Sequence, residues 1–136
     1  MAQTGSPQPD APAGPPAFEP ALRTIAMPAD TNPNGDIFGG WLLSQMDLAG
    51  GTVAVKRANG RVATVAVDGM QFHLPVFVGD EVSSYATIKR VGRTSIAVDV
   101  EVWAARHRTG ERVKVTRGTF TYVAIDDERR PRPLPV

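Results

Sequence analysis

One run of residues, Gly39 to Val55, limits what this chain can fold into. It reads Gly-Gly-Trp-Leu-Leu-Ser-Gln-Met-Asp-Leu-Ala-Gly-Gly-Thr-Val-Ala-Val, small or apolar at nearly every position. A helix on the surface of a soluble protein keeps a polar face, and this run has none, so the pattern predicts a buried helix. The rest of the chain must then be arranged around it.

After that run the period of the pattern changes to two. From Arg61 to Asp68 the residues alternate, with Val62, Thr64 and Ala66 on one face and Ala63, Val65 and Val67 on the other. Glu81 to Val91 is a second candidate strand. Thr94 to Ala104 is the cleanest, with Ile96, Val98, Val100 and Val102 on one face and Asp99 and Glu101 opposite. Glu111 to Val123 alternates as well, and Leu22 to Met27 reads as a short first strand. Gly92-Arg93 and the stretch from Arg106 to Gly110 are turn signals. Strands joined by consecutive hairpins imply an antiparallel sheet. One apolar helix with one sheet gives an α+β class in which the sheet curves around the helix. Such a sheet has exposed edges, so pairing with a second copy is expected.

The 136 residues fit one domain. Residues 1–20 are rich in Pro, Gly, Ala and Gln and bury too little to order themselves, which predicts a disordered tail. Residues 126–136 alternate charge and proline and should be extended. The folded unit is therefore expected over 21–125. A formal net charge of +1 gives no case for nucleic acid or a membrane surface as partner. No cysteine is present, which removes disulfides, thiolate metal sites and Cys nucleophiles. With only His73 and His107, no dedicated metal site is expected. The start carries neither a basic region nor an apolar block, and no apolar run is long enough to span a bilayer, so a cytoplasmic protein is expected.

Within the apolar run stands one acid, Asp47. A buried carboxylate must be paired, hydrogen-bonded or neutralised, since a lone buried charge costs several kcal/mol or more. Chains keep such a group chiefly where chemistry uses it. The bland alternative is a buried Asp bonded to a loop backbone. Upstream, Asp30-Thr31-Asn32-Pro33-Asn34-Gly35-Asp36 is rich in turn formers and enters the helix through Gly39-Gly40. A helix start offers unpaired N–H groups and partial positive charge.

Several stretches closely resemble the YciA-type acyl-CoA thioesterases of the hotdog fold. These are residues 22–47, which contain NGDIFGGW followed by SQMD, then GRVATVAVDGM at 60–70, PVFVGD at 75–80, VGRTS at 91–95 and VEVW at 100–103. The similarity spans about residues 21 to 134. It implies a curved antiparallel sheet wrapped around a central helix. It also implies a homodimer with a continuous sheet, often assembled into a trimer of dimers, with active sites at the dimer interface. The substrate would be an acyl-CoA, hydrolysed to fatty acid and CoA with no metal or organic cofactor.

By the same resemblance Asp47 is the catalytic carboxylate, acting as general base or as nucleophile. Gly39 or Gly40 presents its N–H to the thioester carbonyl. Asp36 lies near the thioester, against the plainer reading of a cap or turn residue. Asn34 reads first as a turn former, with a hydrogen bond in the site as its second reading and no catalytic role, and Phe38 reads as a wall of the acyl pocket or interface. Arg93, Thr94 and Ser95 lie along CoA, where an arginine suits its phosphates. His73 is either a CoA contact or a satisfied structural histidine. Gly50-Gly51, costly within a helix, points to close packing rather than chemistry. Two rivals remain on this fold, an acyl-CoA-binding sensor and a hydratase; the latter usually pairs a His with the acid, and neither His falls in the motif.

Overall fold

Asn59 in the left-handed region (φ 51°) and Gly60 end the central helix, with the Gly60 N–H returning to Val55 O and the Asn59 N–H to Lys56 O. This helix, α1, spans Gly39–Ala58. The structure is a computed structural model, and it describes residues 14–136. Five strands accompany α1: β1 (Leu22–Ile25), β2 (Val62–Phe72), β3 (Glu81–Val91), β4 (Ser95–Ala105) and β5 (Arg112–Ala124). They form one antiparallel sheet in the order β1-β3-β4-β5-β2.

The sheet is antiparallel, as expected, but not the simple run of hairpins on which that expectation rests. Only β3–β4 and β4–β5 are consecutive hairpin pairs; β2 lies at the far edge, beside β5. The segment from His73 to Asp80 carries the chain back across to β3. Its end is fixed by Asp80, which is buried and accepts from the Phe77 N–H, the His107 N–H and Arg106 Nη1 at 2.9, 3.2 and 2.7 Å. The Arg106 guanidinium also lies 4.8 Å over the Phe77 ring.

The core forms where α1 meets the concave face. Leu42, Met46, Ala49, Ala54 and Ala58 of α1 pack with Ile96, Val98, Val100 and Val102 of β4 and Phe120 and Tyr122 of β5. Each large apolar side chain fully buried there contributes about 1.5–3 kcal/mol. Asp99 and Glu101 fall on the outer face, as the period predicts.

Two expectations need correction. α1 is not buried all round: Gly40, Ser44, Leu48, Thr52 and Val55 form an exposed stripe, with Leu48 60% accessible. Asp47, on the border of that stripe, is half-buried. Nor does β2 alternate throughout. A register shift between Thr64 and Ala66 leaves Val65 without a partner, while Thr64 pairs with Tyr122 and Val67 with Phe120. Cross-strand partners share a face, so Thr64 and Val67 both lie on the helix side, although the sequence alternation sets them apart.

At the ends, residues 1–13 of the expected tail lie outside the described residues. Residues 14–20 run over the outer sheet face, where Phe18 meets Tyr85 edge to face at 5.8 Å. The C-terminal segment is extended but pinned. Arg132 donates to Ile125 O and Ala58 O, and the Leu134 N–H to Arg93 O.

Candidate active site

The turn before α1 is built by Asn32, whose Oδ1 accepts from the Asn34 N–H at 2.9 Å and the Asp36 N–H at 3.1 Å. Gly35 (φ 89°) lets the chain reverse there. Ile37 then bridges to Thr31, and the Phe38 N–H donates to Asp30 O. No side chain caps the helix, so Asp36 is not a cap. The first two N–H groups of α1, those of Gly39 and Gly40, have no partner among the described residues. Gly39 faces the Phe72 ring, which a Cβ would meet at 3.6 Å, whereas Gly40 opens to space.

Two turns along, Asp47 is held from the sheet. Thr64 Oγ1 donates to Asp47 Oδ1 at 2.7 Å. The Tyr122 hydroxyl lies 3.1 Å from the same Oδ1 and 2.9 Å from the main-chain O of Asp47. Burial first, then the Asp47 charge and hydrogen bond, push the Tyr122 hydroxyl well above the usual phenol range, so it remains a donor at working pH. Oδ2 of Asp47 has no partner among the described residues. Gly50 lies beneath the tyrosine, and a Cβ there would come to 2.5 Å from the hydroxyl oxygen. Close packing therefore explains this helical glycine, as its cost suggests; at Gly51 a Cβ would meet the ring at 3.7 Å, an ordinary contact.

Within one chain the candidate residues fall into separate places. Asp47 lines a depression of about 500 Å³ with Leu48, Gly51, Val55, Val62 and Thr64. Asp36, Gly39 and His73 share another, of about 370 Å³, with Phe72 and Leu74. His73 is exposed, and its N–H donates to Val115 O. Asn34 and Phe38 are exposed and line neither depression. Arg93 and Thr94 lie in the β3–β4 turn and Ser95 opens β4; none lines either depression, and Arg93 O accepts from the pinned C-terminal segment. A further depression, about 700 Å³, lies under residues 14–20 and includes no candidate residue. Among the described residues no group of three or more His, Cys, Asp or Glu is placed to hold a metal ion, and no helix is long and apolar enough to cross a membrane.

Thr64 and Tyr122 were not legible as site residues. Each is an ordinary strand residue, and only the register of the β2–β5 edge brings both to Asp47.

Residues 34–111 match the family model described as the thioesterase superfamily. The chain is 55% identical over 124 residues to the acyl-CoA thioester hydrolase YciA of Salmonella typhimurium, covering 89% of this chain and 93% of that one. It superposes on a hexameric thioesterase from Yersinia pestis with a TM-score of 0.84 and 55% identity, over 89% of this chain and 98% of the other. A hexameric hotdog fold thioesterase of Campylobacter jejuni gives 0.83 at 45% identity, over 87% and 91%.

Proposed function

Since this chain belongs to the thioesterase superfamily, as a YciA-type member with the hotdog fold, we propose that it hydrolyses acyl-CoA to a carboxylic acid and CoA at a site shared by two copies. The observation that carries this is the Asp47 carboxylate. One oxygen is held by the sheet, while the other has no partner beside an apolar depression.

The helix start would bind the thioester oxygen as it becomes an oxyanion, through the free N–H groups of Gly39 and Gly40. Asp47 would act on water, taking a proton as the water oxygen attacks the carbonyl. Collapse then breaks the C–S bond, and CoA leaves as the thiolate and is protonated. Alternatively the carboxylate attacks first and expels CoA as the thiolate, and water then cleaves the mixed anhydride to release the acid and restore Asp47. No metal or organic cofactor takes part in either route.

Sharing between copies follows from distance. Asp47 is eight residues beyond Gly39, about 12 Å along the helix axis, too far for both to serve one carbonyl directly. A second copy paired along the β2 edge would bring its helix start beside this Asp47. The hexameric assemblies of similar thioesterases support self-association of this chain. Asp36, Phe38 and His73 would then line the thioester end, and Arg93, Thr94 and Ser95 the CoA.

The test is a panel of acyl-CoAs of different chain length, with released CoA followed by a thiol reagent. The chain has no cysteine to add background. Release is expected from some members and should fall about 100-fold or more in Asp47→Asn. Binding without release would overturn the reading, as would release unchanged in the variant.

A further inference from the structure

We infer that Tyr122 is a positioning residue for Asp47: with Thr64 it occupies Oδ1, so that Oδ2 is the oxygen that reacts. This rests on the thioesterase reading and names what sets the carboxylate's orientation.

The geometry is specific. The Tyr122 ring is buried, with 1% of the residue accessible, and its hydroxyl must find a partner. The main-chain O of Asp47, at 2.9 Å, would satisfy it alone. Yet the hydroxyl also stands 3.1 Å from Oδ1, where it shares its one proton between two acceptors of the same residue. Thr64 reaches that same Oδ1 from β2 at 2.7 Å. Two donors on one oxygen fix the carboxylate about both of its side-chain torsions. They also take up lone pairs of Oδ1, whereas Oδ2 keeps its own for water or thioester.

The helix is shaped for this contact. A residue other than Gly at position 50 would place a Cβ 2.5 Å from the hydroxyl oxygen. Glycine within a helix costs about 1 kcal/mol relative to alanine. The ring carbons Cε1 and Cζ would also come to 3.2 Å, so the gap serves ring and hydroxyl together. A ring used only to fill the core would not need its oxygen, because phenylalanine has nearly the same shape.

The decisive variant is Tyr122→Phe in the full chain, with Gly50→Ala as a second route that displaces the hydroxyl without removing it. A hydrogen bond to a charged group corresponds to roughly a 10- to 100-fold change in rate. Tyr122→Phe should therefore lower kcat by about that factor and leave KM within about twofold. A crystal structure of the variant should show the Asp47 carboxylate turned from its wild-type orientation. Equal falls in kcat and folded fraction, or a kcat within twofold of wild type, would overturn the inference. So would an unmoved carboxylate. The crystallographic readout needs no turnover, so an inactive wild type would sink the thioesterase reading while the positioning claim is still decided.

Discussion

At the scale of single residues, the site is a matter of which atoms Asp47 meets. Thr64 and Tyr122 both donate to one of its oxygens, from two strands far apart in the sequence. Replacing Thr64 by Val keeps the shape and removes one donor. The kcat of Thr64→Val should fall roughly tenfold, with the thermal midpoint changed by only a few degrees, as steady-state kinetics and a thermal melt would read. Asp47 itself was legible, because an acid inside an apolar run needs a reason. Its partners were not. Thr64 is 17 residues away and Tyr122 75, and nothing in either strand's own pattern marks the one position that faces a carboxylate. The expected burial of Asp47 was also too strong, because the run carries no polar face from which to tell its open side.

At the scale of elements, alternation was legible in β4 and β5, inside the sheet. The inward set Ile96, Val98, Val100 and Val102 of β4 is buried as the pattern requires. Strand order was not legible, since it depends on which edge is filled after the crossing from β2 to β3. The bulge at Val65 was hidden too, because a bulge leaves no signature in a run of valines and alanines. The C-terminal segment looked free by composition, yet Arg132 ties it to Ala58 O at the end of α1 and to Ile125 O. Arg132→Ala should lower stability by about 1–3 kcal/mol, read in a denaturant titration with the slope unchanged. The turn before it responds to acid. Asp126 accepts the backbone N–H of Arg130 and then that of Glu128, which holds its carboxyl below the usual carboxylate range. Its contribution is therefore present above that range and lost as pH falls through it.

At the scale of the whole molecule, two unfinished surfaces adjoin. The exposed stripe of α1, with Leu48 and Val55, borders the free edge of β2, where Val65 and Val67 are 57% and 41% accessible. A long edge strand left open in this way invites a partner strand. Paired lysines at these positions, Val65→Lys with Val67→Lys, should reduce the molecular mass measured by light scattering. Turnover should fall in parallel, while circular dichroism keeps the helical signal. That such an edge invites a partner was legible from the sheet alone; the register shift that shapes the edge was not. The same open edge makes dilution a variable of the enzyme. If the reactive unit is two chains, the activity of each chain falls as the solution is thinned. The melting temperature falls with it, by mass action on one equilibrium. Chemistry and folding would then share a single dissociation constant, and the working concentration would set both.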